Sequence, residues 1–334
     1  MASREYSSTD TGAPQMGGNA AGSLLGVLRA VLVDGYGDKQ PLGWELMFVD
    51  AVNHIHVYRP RSGSRMFLKI VDDGTIRYND IFRVAAMSYE NMFSANQGIH
   101  PCPPEQNYRN GQAGYIHKTG ENNITSQKWR IIGDECGFYL ITFPYSSRAT
   151  NYNNVGCWYY FGEYPCFGHD TARNMYNWAM LTTQNDNYTR SSGHNSTGTA
   201  CIMRNPYTQV KGCRNIYIGS LFGYGERNAN VSSQTPTQDG SGRYVNNLAN
   251  INGLPVYSPV YIRDQAYTTN ILGVLPGMFD IICTNSYKQN QIYYEELDEN
   301  NKLVCIPVAP ASNYVQQDHC RIAFLIGEKF RYVF

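Results

Sequence analysis

Charge is what this sequence has least of. Asp, Glu, Lys and Arg make up 16% of the chain, against about 25% in ordinary soluble domains. Lys+Arg and Asp+Glu number 27 each, so the formal net charge is zero. Without a basic excess there is no field to hold a phosphate backbone, and direct nucleic-acid binding is not expected. Without an acidic tail there is nothing to recruit a basic partner. A chain this poor in charge tends to associate rather than diffuse alone.

Long apolar runs are missing as well. No stretch approaches the ~18 apolar residues of a transmembrane helix, so no membrane partner is expected. The opening MASREYSSTDTGAPQMGG lacks the apolar core of a secretory signal. The sequence contains no G-x-S-x-G elbow, H-E-x-x-H pair, phosphate-binding loop or dinucleotide fingerprint, and no cofactor is expected. The two G-Y-G triplets, at 35–37 and 223–225, read as turns because no Gly-Lys-Ser/Thr follows. Glu295 and Glu296 are neighbours on a strand and point to opposite faces, so they cannot flank one sugar as paired carboxylates. Asp134 with Glu135 fails the same test. Asp72-Asp73-Gly74 is a turn without the further oxygens of a calcium loop. His54 and His56 share one face of a predicted strand, but no third ligand accompanies them, and no metal is assigned.

The nine cysteines, Cys102, Cys136, Cys157, Cys166, Cys201, Cys213, Cys283, Cys305 and Cys320, form no C-x-x-C pair and show no zinc spacing. They read either as buried thiols acting as small apolar residues or as disulfides made in an oxidising medium, with the pairing open. The odd count means full pairing needs a bridge between subunits or leaves one thiol over. N-x-S/T sequences begin at Asn123, Asn187, Asn195 and Asn230, and in an Asn-rich chain without a signal they read as chance.

What the sequence does have is tyrosine: 27 copies, against 13 Phe and 4 Trp. Tyrosine favours strands and half-buried sheet faces; exposed rings contacting sugar are the alternative. Residues 1–23 are rich in Gly, Ser, Thr and Ala and read as an extended arm that a neighbouring subunit would hold. Leu24, Leu25, Leu28, Val31 and Leu32 make an apolar helix stripe, with Ser23 as cap and Gly35 as stop.

Beyond this helix the period becomes two. HIHVY, RMFLKIV and IFRVAAM read as strands, then KWRII and GFYLITF as a hairpin across GDEC. CWYYF, NIYIGSL, PVYIR, MFDIIC, QIYYEEL, KLVCIPV, RIAFLI and KFRYVF read as further strands. Residues 98–123 read as a long loop, and a short helix is expected around Arg173 to Met180 within the Asn-rich 168–198. The expected fold is mainly β, with sandwich or barrel-like sheets, long loops and one short N-terminal helix. The expected organisation is an arm (1–23), a β-rich module with the helix (24–115) and a larger sandwich-like module (116–334).

Several blocks, taken in order, resemble a family of tailed-bacteriophage virion structural proteins. They are L-x-x-x-L-V-D-G-Y-G over Leu28–Gly37 with Gly43–Trp44, Tyr58–Pro60, Phe67–Gly74, Met87–Met92 (read as a helix or turn), W-x-x-x-G-D-x-x-x-F-Y-L over Trp129–Leu140, Phe161–Glu163, and L-G-V-L-P-G-M-F over Leu272–Phe279. The motif residues Asp34, Gly35, Tyr36, Gly37, Trp44, Trp129, Asp134, Phe138, Tyr139, Pro276 and Gly277 make sense as scaffold. Glycines turn the chain, Trp44 anchors a first core, Trp129 and Phe138 anchor a second, and Leu275-Pro276-Gly277 makes a tight turn.

The resemblance implies a non-enzymatic subunit made in the host bacterial cytoplasm and built into the virion. Its place would be the neck or collar, in several copies around the symmetry axis. Its implied partners are copies of itself and neighbouring portal or connector, tail or fibre proteins. A baseplate or fibre-associated protein binding host glycan through loops 168–198 and 223–245 is the second expectation. A cell-wall-degrading enzyme is a third, which no carboxylate pair or metal set supports.

Overall fold

A computed structural model describes residues 2–78, 81–103, 114–119, 127–143, 157–167, 177–182, 200–208, 210–219, 256–264, 271–282, 292–308 and 320–331. The fold is mainly β, as expected. One short helix, α1 (Ser23–Arg29), runs on into a π-helical turn, Ala30–Asp34. The apolar stripe is buried as its spacing predicts: Leu24, Leu25, Val27, Leu28, Val31 and Leu32 all face the core. Gly35 stops the helix at φ +81. The expected Ser23 cap is not made, because the Ser23 hydroxyl donates to Gly17 O at 2.9 Å. The Asp72 carboxylate, at the end of the neighbouring strand Phe67–Val71, serves instead, accepting the Leu24 N–H at 2.9 Å.

A seven-stranded antiparallel sheet follows. It comprises β2 (Glu45–Asp50), β3 (Ile55–Arg59), β4 (Phe67–Val71), β5 (Arg77–Tyr78), β6 (Ile81–Ser94), β7 (Gln97–Cys102) and β8 (Gly114–Thr119). The long β6 organises it: β4 pairs with Ala85–Tyr89, β8 with Phe82–Ala86 and β7 with Ser88–Ser94. Two expectations are corrected here. Met87–Met92 is neither helix nor turn but the middle of β6, and the 98–123 loop contains most of β7 and all of β8.

The second sheet is a path of twelve strands. Its remaining members are β1 (Arg4–Ser7), β9 (Trp129–Asp134), β10 (Gly137–Thr142), β11 (Cys157–Glu163), β12 (Trp178–Leu181), β13 (Ala200–Arg204), β14 (Lys211–Gly219), β15 (Val256–Asp264), β16 (Ile271–Ile282), β17 (Tyr293–Asp298), β18 (Asn301–Val308) and β19 (Cys320–Gly327). The order is β1-β9-β10-β11-β12-β13-β14-β15-β16-β19-β18-β17, antiparallel throughout. The path curls into a half-barrel, so that β1 at one edge reaches the other end. There Ser3 N donates to Gly327 O at 2.8 Å, and Tyr294 OH on β17 donates to Glu5 Oε1 at 2.9 Å.

Alternation along β9–β13 fills two cores at once. Trp129, Ile131, Phe138, Leu140, Tyr159, Trp178 and Met180 face a layer shared with α1 and with Leu68, Ile70, Val84 and Ile116 of the first sheet. Ile132, Tyr139, Ile141, Trp158, Tyr160 and Leu181 face inward to the half-barrel, against Ile262, Val304, Ile322 and Phe324. Trp44 does not anchor a core of its own. It packs on Phe138 (centroids 5.3 Å apart) and Trp178 (6.0 Å) in the shared layer, which also holds Trp129.

Four further expectations change. The arm 1–23 is held by its own chain: β1 pairs with β9 from Arg4↔Gly133 to Ser7↔Arg130, Met16 bridges Gln127, and Tyr6 and Met16 are buried. Of the helix expected around 173–180, residues 178–180 lie in β12, and 173–176 fall outside the described residues. Lys329, Phe330 and Arg331 form a turn rather than a strand. Leu275-Pro276-Gly277 is not a tight turn between strands. It opens a bulge inside β16, where Val274 pairs with Tyr261 and Phe279 with Pro259.

Candidate functional site

The motif residues meet on the β9–β10 hairpin. At its start, the Trp129 indole N–H donates to Pro14 O at 3.0 Å, and its ring meets Tyr36 edge-on at 6.3 Å. Tyr36 in turn donates to Asp10 Oδ2 at 2.9 Å and packs on Tyr6. Gly37 is needed there at φ +53, because a Cβ would sit 2.5 Å from Thr11 O. The Asp34-to-Gly37 turn is thus the seat of the N-terminal arm, while Asp34 itself pairs with Arg29 at 2.7 Å on the surface.

At the hairpin turn, Asp134 is buried and accepts the Cys136 and Gly137 N–H groups at 2.9 and 3.1 Å. Its remaining charge is met by Arg331 from the chain's last turn, Nη2 to Oδ1 at 2.6 Å. Arg331 Nη1 also donates to Glu163 O at 3.0 Å, which draws the Phe161–Glu163 block into the same knot. Tyr139 donates to Pro276 O at 2.9 Å, and its ring lies against Tyr160, Phe324 and Phe330. The bulge at Pro276-Gly277 brings the Gly277 backbone against Phe330, so closely that a Cβ would clash with the ring. One hairpin therefore ties down both the N-terminal arm and the turn at 328–331, and its named residues take part in that packing.

Several thiols and one imidazole are held in their uncharged forms. Burial pushes the thiols of Cys136, Cys157 and Cys166 up, to about 11, 12 and 12, which leaves them protonated and non-nucleophilic at neutral pH. Burial, with Arg83 nearby, pushes His117 down to about 3. Cys102, Cys201 and Cys305 are also buried thiols, whereas the side chains of Cys213, Cys283 and Cys320 lie outside the described residues. His54 and His56 do not share a strand face. His54 lies before β3 at φ +51, and His56 Nδ1 is 2.9 Å from Tyr58 OH. Glu295 accepts a hydrogen bond from Tyr257 OH, while Glu296 is exposed. Among the described residues, no three His, Cys, Asp or Glu side chains gather to hold a metal, and no helix is long and apolar enough to cross a membrane.

The surface carries the features that sequence reading missed. The β2–β3 and β6–β7 hairpins end side by side, joined by Asn96 Nδ2 to Asp50 Oδ2 at 3.1 Å. Val49, Val52, Phe93 and Ile99 are exposed at this end, Val52 at 87% and Phe93 at 59%. At the opposite limit of the second sheet, β17 pairs only with β18 among the described strands, and its Tyr294 and Leu297 are exposed. Among the described residues many tyrosines serve the interior, with Tyr58, Tyr89, Tyr115, Tyr139, Tyr159 and Tyr160 among the largest fully buried side chains, whereas Tyr207 is exposed. Of the two loops expected to reach glycan, 223–245 lies outside the described residues, and the described part of 168–198 includes β12. The sequons at Asn123, Asn187, Asn195 and Asn230 also lie outside. No protein-family model matches the chain, and no curated protein sequence matches it.

Proposed function

We propose that this chain is a non-enzymatic structural subunit of a tailed-phage virion, placed at the neck or collar and assembling in several copies around the particle axis. The observation that carries the reading is the exposed apolar hairpin end, Val49, Val52, Phe93 and Ile99, on a chain with so little charge. Clustered exposed apolar side chains mark surfaces that other proteins cover. Among the described strands β2 and β17 lie at sheet edges, where a neighbour's strand could add. The ordered motif blocks support the same reading, since Trp129, Asp134 and Tyr139 spend their polar atoms on contacts that build the scaffold. Under this reading the partners are further copies of the chain and the adjoining portal, tail or fibre proteins.

The test is self-association of the purified full chain, followed by sedimentation velocity over a concentration series. An oligomer of fixed copy number is expected. Val52→Asp with Phe93→Asp is expected to shift it toward monomer without lowering the melting temperature, because both side chains already face water. A monomer at every concentration overturns the reading.

A further inference from the structure

We propose that Cys102 and Cys201 are an intrachain cross-linking site, at which a disulfide staples the seven-stranded sheet to the half-barrel. Cys102 ends β7 and Cys201 lies in β13, so the pair joins the two sheets rather than neighbouring strands of one. Their sulfurs are 2.9 Å apart, less than about 1 Å beyond the ~2.05 Å of a bonded S–S pair. Both residues are fully buried in the shared core layer, among Trp178, Met180 and Met203. Other thiols meet different partners: buried Cys136 Sγ faces the Ser62 hydroxyl at 3.2 Å, and half-buried Cys166 Sγ the carbonyl of Tyr164 at 3.8 Å.

The oxidant is a small-molecule disulfide of the glutathione class. One cysteine thiolate attacks it, releasing one small thiol and leaving a mixed disulfide on the chain. The second cysteine thiolate then displaces the other small thiol and forms the S–S bond. Two protons and two electrons pass from the cysteine pair to the external disulfide, which ends as two thiols. Because both sulfurs are covered in the folded chain, exchange takes place while the sheets are still apart. Closure of the core then shields the bond from reductant.

This inference is independent of the proposed assembly role. The experiment is to refold the full chain in a mixture of oxidised and reduced glutathione, alkylate remaining thiols, and map peptides without reduction. The expected product is a peptide pair linked through Cys102 and Cys201, with a mass lower by two hydrogens than the separate thiols. The bond should survive mild reductant in the native state and be lost when denaturant is added. The oxidised chain should melt about 3–6 °C above the reduced one, and Cys102→Ala should abolish that difference. Should that variant fail to fold, the wild-type map alone decides. Both cysteines recovered alkylated, or either linked elsewhere, overturns the proposal.

Discussion

Removing the ammonium of Lys118 is the sharpest test of how the first sheet holds the helix and the end of the arm. Lys118 Nζ lies 2.8 Å from Asp72 Oδ1 and 3.1 Å from Oδ2, and donates to Ala20 O at 2.8 Å. Asp72 meanwhile caps α1 through Leu24. Both side chains are buried, and burial dominates both: it raises the Asp72 carboxyl and lowers the Lys118 ammonium, with each partner's charge opposing the shift. Lys118→Met keeps the apolar stem but leaves a buried carboxylate without its counter-charge, a change that costs about 3–5 kcal/mol. For 334 residues, an unfolding entropy of about 2.1 cal/mol/K per residue sums to about 0.7 kcal/mol/K, so the melting temperature should fall by about 4–7 °C.

Asp72→Asn should cost a similar amount, since it strands the ammonium instead. The double variant should then lie closer to wild type than either single one. With no net charge left in the core, only the weakened cap and the lost Ala20 bond remain, about 1–2 kcal/mol together. Urea unfolding of all four proteins at neutral pH measures the cycle. Single losses below about 1 kcal/mol, or a double loss equal to the sum of the singles, would refute the idea that this pair is a coupled, desolvated unit.

Other perturbations follow from the same geometry. His117 is held neutral with its folded value near 3, below the ~6.5 of an unfolded chain, so its contribution is fully present above pH 6.5 and lost as pH falls toward 3. Wild type should lose about 2 kcal/mol more than His117→Gln between pH 7.5 and 5, read from urea midpoints. Gly277→Ala sits at φ +62 and drives a methyl into the Phe330 ring, and should cost about 2–3 kcal/mol in thermal unfolding. Arg331→Met leaves the buried Asp134 carboxylate with only backbone donors and should cost about 3–5 kcal/mol, a loss that Asp134→Asn in the same chain should partly restore.

Much of this fold was legible where one local rule acted alone. The β9–β10 hairpin showed itself because GDEC turns between two apolar runs, and the α1 stripe because its spacing matches one helical face. Other elements were hidden by local chemistry that tertiary structure overrides. Proline and glycine made 98–123 look like a loop, yet β7 and β8 both find backbone partners along β6, one after the other. Met87–Met92 lies in a strand largely buried on both faces, so it shows no clear alternation. Pro276-Gly277 carries turn chemistry correctly, but the turn is spent on a bulge that makes room for Phe330. The arm's composition suggested dependence on a neighbour, although the β1–β9 pairing and buried Tyr6 and Met16 seat it within its own chain. The exposed hairpin end could not be read at all. Val49 and Phe93 look like ordinary strand residues until Asn96 and Asp50 bring two distant tips together.

The residues that carry the family resemblance lie far apart in sequence and close together in space, and this bears on what they are for. Asp134 meets Arg331 across 197 positions, Trp129 meets Pro14 across 115, and Tyr139 meets Pro276 across 137. Each contact spends the polar end of a motif residue on backbone or on a buried counter-charge, and each closes a long loop, which costs entropy and slows folding. Here the atoms are spent inside, on joining the first and last segments of the chain to one hairpin. So arranged, these motif residues serve the packing of the fold. On the surface, the exposed apolar tips and the outermost described strands are the features that a neighbour in the proposed assembly would cover.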